Sequence, residues 1–201
     1  MSQSEPSHPA VAGRLTRTLG LRLHALILSQ LQSIRPITAA EREQWLDALA
    51  WVESGVPLCR VAKPATPPKH LVSYFPVVDD QHVLLVDHKN ARLWLPTGGH
   101  VEEGEDPRVT VVRELKEELG LTVQLSELGN PLMVTVTQTV GLTSGHTDVS
   151  LWYPVTRSRL EPIEYDESEF HQIRWFHFSE VPHDRTDPNL KHFLAKLGAE
   201  A

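Results

Sequence analysis

The amino-acid sequence predicts an α/β protein in which a mixed β-sheet carries helices on both faces. Three observations lead to this fold class: two helical segments open the chain, β-rich runs follow them, and further helical segments lie between and after those runs. Helices that alternate with strands in this way are typical of layered domains. The chain has 201 residues, of which 40% are hydrophobic, so it is long enough for one domain with an extension.

The N-terminal part of the chain predicts a helical extension. Residues 1–13 are small and polar and contain proline, which indicates a disordered tail. Leucines recur at helical spacing over residues 14–33, and Pro36 ends that helix. A second helix begins at Thr38, whose spacing to Glu41 matches a capping box. Residues 63–70 contain three prolines, so we place the extension at residues 14–62 and the main domain at residues 63–201.

The main domain is predicted to consist of strands around one central helix. The β-rich runs cover residues 70–78, 82–88, 132–140, 148–156 and 171–178, and the first two form a hairpin. The central helix begins at Asp106 and Pro107, which suit a helix cap and a first turn. It ends at Gly120, which suits a left-handed cap, and a last helix follows residues 187–189.

Composition excludes several classes of protein. The net charge is −7 and no basic stripe is visible, so we expect no nucleic-acid partner. No apolar run approaches the roughly 20 residues that span a bilayer, and no secretory signal is visible, so we expect no membrane partner. A single cysteine, Cys59, excludes an intramolecular disulfide, and we expect a cytoplasmic protein.

The stretch from Gly99 to Leu121 is strongly acidic. Glu114, Glu117 and Glu118 lie at spacings of i, i+3 and i+4 on the central helix, so their carboxylates share one edge and repel each other. A hard divalent cation would relieve this repulsion, and ligands that are all oxygen favour Mg²⁺, or Mn²⁺, over zinc. The alternative is a solvated acidic face, which is what a Glu-rich helix usually is when only its charge is considered.

The order of residues in this stretch resembles the signature of the Nudix hydrolases, a family of MutT-like proteins. That signature is G-x5-E-x7-R-E-U-x-E-E-x-G-U, where U is a bulky aliphatic residue. The chain agrees at every fixed position: Gly99, Glu105, Arg113, Glu114, Leu115, Glu117, Glu118, Gly120 and Leu121. A looser resemblance extends over residues 71–181 and leaves out residues 1–60. One departure is Thr97, which stands where many members have proline.

The resemblance implies an α/β/α sandwich with a mixed sheet and an enzyme that hydrolyses a nucleoside diphosphate linked to another moiety, with Mg²⁺. It implies that the metal ligands are Glu114, Glu117, Glu118 and the carbonyl oxygen of Gly99. Arg113 would orient the carboxylates, and Glu105 would brace the loop against the helix. The resemblance does not decide which residue is the general base, and the candidates are Glu117, Glu118, Glu167 and Glu169.

Two other functions remain alternatives. One is a nucleotide-binding or regulatory module of the same fold, in which the N-terminal helices contact a partner. The other is isomerase chemistry on an isoprenoid diphosphate, which requires a reactive cysteine and would depend on Cys59.

Candidate substrate contacts lie in the glycine-rich loop and near one predicted strand. Gly98 and Gly99 let the backbone approach a phosphate, and His100 follows them directly. His146 and Asp148 lie at the mouth of a predicted strand, where a surface turn capped by Asp148 is the alternative. The apolar stripe of the N-terminal helices needs cover from the domain or from a second subunit, which predicts a homodimer.

Overall fold

The computed structural model describes residues 9–62, 66–139 and 145–200, with side chains from residue 20 to residue 199. The helices are α1 (Pro9–Ser33), α2 (Ala39–Glu53), α3 (Pro107–Leu119) and α4 (Leu190–Glu200). The strands are β1 (Lys69–Tyr74), β2 (Val77–Asp79), β3 (His82–His88), β4 (Leu93–Leu95), β5 (Gly98–His100), β6 (Met133–Gln138), β7 (Thr147–Trp152), β8 (Val155–Thr156) and β9 (Phe170–His177). None of these helices has the length and apolar character needed to cross a bilayer.

The strands form two mixed sheets. One sheet has the order β5-β1-β7-β6, with β1 and β7 parallel. The other contains β4, β3, β2 and β8, with β9 paired to β3 and β2 parallel to β8. The predicted hairpin is confirmed between β2 and β3.

Two of the predicted strands are each divided by a proline. Pro76 separates β1 from β2, and Pro154 separates β7 from β8, so the single strands predicted at residues 70–78 and 148–156 are wrong. Proline has no N–H group and cannot donate to a sheet ladder. The chain remains hydrogen-bonded next to these breaks. The Tyr153 N–H, just before Pro154, donates to the Tyr74 carbonyl at 2.8 Å.

Helices cover both faces of the sheets, which confirms the predicted α/β fold. On one face, Ile27 of α1 and Leu115 of α3 share a core with Leu71 of β1. On the other face, Phe193 of α4 packs with Trp152 of β7. Each face therefore has its own hydrophobic core, as a three-layer arrangement requires.

The N-terminal helices end close to the predicted positions, but α1 begins five residues before the predicted start at residue 14. Helix α1 starts at Pro9, inside the range predicted as a disordered tail, and residues 1–8 of that range lie outside the described residues. Thr38 caps α2, because its hydroxyl accepts from the Glu41 N–H at 3.1 Å. The Glu41 carboxylate accepts from the Ile37 N–H at 2.7 Å, one residue earlier than a capping box predicts.

The extension lies directly against the main domain. The Tyr153 hydroxyl donates to Gln30 Oε1 of α1 at 2.8 Å, and both side chains are buried. Gln44 Oε1 of α2 accepts from the Val136 N–H of strand β6 at 2.9 Å. Leu23, Ile27 and Leu31 of α1 are buried in the core of one chain, so this part of the apolar stripe does not by itself require a second subunit.

Candidate active site

Helix α3 has the boundaries that its local signals predict. Asp106 caps the first turn by accepting from the Arg108 N–H at 2.9 Å, and Pro107 is the first helical residue. Gly120 ends the helix with a φ of 63°, and its N–H donates to the Leu115 carbonyl. These two ends determine where each carboxylate of the helix lies.

Gly99 and Glu114 lie in direct contact. Strand β5 pairs Gly99 with Ser73 of β1, and α3 packs over this pair. A Cβ atom on Gly99 would lie 2.3 Å from Oε1 of Glu114, far inside van der Waals contact. Only glycine at this position leaves the Glu114 carboxylate in place against the backbone of β5.

Arg113 joins the helix carboxylates to the preceding loop. Its guanidinium donates to Glu114 Oε1 at 2.6 Å, to Glu105 Oε2 at 3.3 Å and to the His100 carbonyl at 3.3 Å. Glu117 Oε2 lies 3.7 Å from the same guanidinium. One cation thus contacts three acids, so much of their mutual repulsion is offset.

Glu105 is held by several donors at the base of the loop. Its Oε2 atom accepts from the Thr110 hydroxyl at 2.7 Å and from the Glu102 N–H at 3.1 Å. Burial raises the pKa of this carboxyl group, but hydrogen bonds from Arg113, Thr110 and the Glu102 amide outweigh burial and leave the pKa below its ordinary value. Glu105 is therefore a charged group tied to both the loop and the helix.

Glu118 is the least compensated acid of the site. It is 8% exposed, and its Oε2 atom has no hydrogen-bond partner in the described part of the chain. Burial raises its pKa well above the ordinary value, and the charges of Glu114 and Glu169 raise the pKa further. A divalent cation bound by oxygen atoms would satisfy the orphaned atom and relieve the repulsion, so these residues fit Mg²⁺.

The acidic loop before β9 brings one further glutamate toward the site. The Asp166 N–H donates to the Glu118 carbonyl at 2.9 Å, which holds this loop against the end of α3. The charge of Glu169 contributes to the raised pKa of both Glu114 and Glu118. Lys89 holds this loop in place, because its side chain donates to the Glu167 carbonyl and its N–H donates to the Glu169 carbonyl.

The structure also brings together three of the predicted substrate contacts. His100, His146 and Asp148 lie in one cluster with His70, which the sequence did not single out. The His70 ring centroid lies 5.0 Å from that of His100 and 4.9 Å from that of His146. His70 and Asp148 are register partners on β1 and β7, a relationship that no local sequence signal reveals. Gly98 lies apart from this group, against the Tyr74 ring.

Cys59 does not suit nucleophilic chemistry. It is 4% exposed, and burial raises the pKa of its thiol to about 11, so it is protonated at neutral pH. The thiolate is the reactive form of cysteine. The isomerase alternative therefore has no support from this residue.

The fold and the site define an α/β protein with an acidic helix over a glycine-containing strand. The NUDIX domain model matches residues 68–197, and the chain belongs to the Nudix hydrolase family, which acts on nucleoside diphosphate derivatives. The chain matches no curated protein sequence.

Solved structures with the same fold include a NUDIX family hydrolase from Clostridium perfringens. It is 23% identical with a TM-score of 0.52, and the match covers 66% of this chain and 98% of that one. The dihydroneopterin triphosphate pyrophosphohydrolase of E. coli is 15% identical with a TM-score of 0.52, covering 73% and 100% of the two chains. The NUDIX domain of Shewanella oneidensis NrtR, complexed with ADP ribose, is 18% identical with a TM-score of 0.51, covering 65% and 86%.

Proposed function

We propose that this chain is a Mg²⁺-dependent pyrophosphohydrolase that cleaves a diphosphate bond in a nucleoside diphosphate linked to another moiety, such as a nucleoside triphosphate. Mn²⁺ is the expected substitute for Mg²⁺. The observation that carries the proposal is Glu118, a buried carboxylate with an orphaned oxygen beside two further acids. Such a site is costly in the absence of a cation and is relieved by one.

The metal would be held by Glu114, Glu117, Glu118 and the carbonyl oxygen of Gly99. When bound, it supplies a Lewis acid that polarises a phosphoryl oxygen and lowers the pKa of a bound water. Glu105 and Arg113 position the carboxylates, since the guanidinium bonds both Glu105 and Glu114.

The substrate would approach along the glycine-containing strand. Gly98 and Gly99 carry no side chain that would block an approach to the backbone there, and an anionic phosphate can use backbone N–H groups together with the metal charge. His100, His146 and Asp148 remain candidate substrate contacts only if they do not hold a metal ion of their own.

The first experiment measures hydrolysis by the purified full chain. Nucleoside triphosphates, oxidised nucleoside triphosphates, nucleotide sugars, ADP-ribose, dihydroneopterin triphosphate and dinucleoside polyphosphates are assayed with Mg²⁺ and with a chelator. We expect release of phosphate or pyrophosphate from at least one compound with Mg²⁺ only. Glu117→Gln and Glu118→Gln should each lower kcat by roughly 100-fold or more, because each removes a group that acts on the transition state.

Glu103→Gln is the matched control, since Glu103 is an exposed acid of the same stretch. It should keep the wild-type rate. Full activity in both site variants would contradict the assignment. Nucleotide binding without turnover would instead support the binding or regulatory module. The predicted homodimer is checked separately, by light scattering on the same preparation.

A further inference from the structure

We infer that His70, His100, His146 and Asp148 form a second metal site, which takes a transition-metal dication such as Zn²⁺. One ligand atom from each residue lies within 4.8 Å of the others. We call this group the histidine–aspartate cluster. The inference does not depend on the hydrolytic activity, and metal binding rather than turnover tests it.

The cluster lies on the face of the sheet opposite the carboxylates of α3. Side chains alternate between the two faces of a strand. Ser73 of β1 faces α3, because its hydroxyl donates to the Pro107 carbonyl at 2.8 Å. His70 stands three positions earlier and faces the other way. The same alternation in β5 turns Gly99 toward Glu114 and His100 toward the cluster.

The distances within the cluster resemble those of a tetrahedral site. Nε2 of His70 and Nε2 of His146 each lie 3.4 Å from Oδ1 of Asp148. Zinc bonds to nitrogen and oxygen measure about 2.0–2.1 Å, so the edge of the ligand tetrahedron is about 3.4 Å. Two edges already have this length, and the other ligand atoms lie within 4.8 Å of one another, so they must move closer when an ion binds.

The His70 ring is already oriented as a metal ligand. Its Nδ1 atom lies 2.8 Å from the Pro67 carbonyl oxygen, and a carbonyl only accepts, so Nδ1 carries the proton. Nε2 therefore presents its lone pair to the cluster. A ligand histidine commonly donates its second N–H to a carbonyl in this way.

Two buried atoms of the cluster form no hydrogen bond in the described part of the chain. They are Nε2 of His70 and Oδ1 of Asp148. His70 is fully buried, with a relative exposure of 0%. Buried polar atoms are almost always paired, so two convergent orphans indicate a missing ligand between them.

The ligand chemistry distinguishes this site from the carboxylate site. Imidazole nitrogens favour zinc and other transition metals, whereas carboxylate oxygens favour Mg²⁺. The carboxylate of Asp148 disfavours an anion in the cluster, although the charge of Arg60 acts on both His70 and Asp148. A dication would satisfy the aspartate and the three rings together.

The test is a calorimetric titration of the full chain with Zn²⁺ in excess Mg²⁺, so that Mg²⁺ occupies the oxygen ligands of α3. Co²⁺ is the spectroscopic probe, since its visible absorption reports tetrahedral nitrogen ligation. We expect a single Zn²⁺ to bind each wild-type chain. Asp148→Asn and His146→Gln should each weaken binding by at least about tenfold.

Glu118→Gln is the matched control and should bind Zn²⁺ as the wild type does. Circular dichroism verifies the fold of each variant, and His146→Gln keeps the test valid if Asp148→Asn does not fold. Equal Zn²⁺ binding in the wild type and the cluster variants would overturn the proposal, as would loss in Glu118→Gln alone. Binding of inorganic phosphate without Zn²⁺ binding would assign the cluster to a substrate anion and also overturn it.

Discussion

The Glu41 carboxylate and the Lys196 ammonium group form an ion pair in the interior of the protein. Each side chain is 2% exposed. Lys196 also donates to the Arg35 carbonyl at 2.8 Å, and His192 Nε2 lies 3.1 Å from the same carboxylate. The pair therefore connects α2 of the extension to α4 at the end of the chain.

Removing one partner of this pair should destabilise the fold strongly. Glu41→Gln or Lys196→Met leaves an uncompensated buried charge or donor, and we expect a loss of about 3–5 kcal/mol in the free energy of unfolding. The double variant should lose less free energy of unfolding than the two single variants lose together. Urea unfolding measures this free energy for both single variants and for the double variant. The surface pair Lys69–Asp47 is the control, with side chains 25% and 54% exposed, and Asp47→Asn should cost under about 1 kcal/mol.

The same carboxylate should make stability fall in acid. Burial raises the pKa of Glu41, but hydrogen bonds from Lys196, the Ile37 amide and His192 outweigh it, so the folded pKa lies below the ordinary value. The unfolded state therefore takes up the proton first, near pH 4.3. The stabilisation is complete above that value and is lost as the pH falls through the folded pKa.

Urea unfolding of the wild type and of Glu41→Gln over a pH series measures this effect. The difference in free energy of unfolding between the two proteins should be constant near neutrality and shrink below about pH 4.5. A difference that stays constant into strong acid would contradict the assignment to Glu41.

Gly99→Ala should disturb the site more than the fold. The new methyl group would overlap Oε1 of Glu114, 2.3 Å away, and displace that carboxylate from Arg113. A displacement of about 1 Å can lower a rate by roughly 100-fold, and we expect a loss of that order in kcat. Gly129→Ala is the control, because no atom lies within 4 Å of its added methyl group. Equal kcat values for Gly99→Ala and Gly129→Ala would show that activity does not require the Glu114 carboxylate in its present position.

Glu118→Gln should stabilise the metal-free protein while it lowers activity. The substitution removes a buried charge whose Oε2 atom is orphaned, and we expect a gain on the order of 1 kcal/mol in chelator. Added Mg²⁺ should raise the melting temperature of the wild type but not of the variant. Glu103→Gln should behave as the wild type in both conditions. A variant less stable than the wild type in chelator would argue against electrostatic strain at Glu118.

Glu169 should matter more for turnover than Glu167. Its charge raises the pKa of Glu114 and of Glu118, whereas Glu167 is not among the charges that raise either pKa. We expect Glu169→Gln to lower kcat by roughly 10-fold or more and to alter the acidic limb of the pH–rate profile. Glu167→Gln should leave both unchanged. The reverse order of effects would identify Glu167 as the base instead.

Sequence patterns predicted α3 well because its signals are local. Its two ends are determined by residues that act within one helical turn of their own positions, namely Asp106, Pro107 and Gly120. Both ends of the helix could therefore be predicted from the sequence. The contact between Gly99 and Glu114 follows from the family signature rather than from any local preference. The division of two strands at Pro76 and Pro154 was not predicted, because the β-rich residues on either side of each proline form one continuous pattern in the sequence.

The histidine–aspartate cluster could not be assembled from the sequence. His70 and Asp148 are neighbours only because β1 and β7 pair in parallel with one particular register. Register depends on long-range packing, which short-range patterns do not encode. The docking of the extension was limited in the same way, since Gln30 meets Tyr153 across 123 positions of the chain.

The link between α2 and α4 has a consequence for the time course of biosynthesis. Lys196 follows Glu41 by 155 positions. At synthesis rates of roughly 5–20 residues per second, Glu41 emerges about 8–30 s before its counterion. The ion pair between α2 and α4 therefore cannot form until the last helix has been synthesised, and a nascent chain stalled before α4 would keep Glu41 without its counterion.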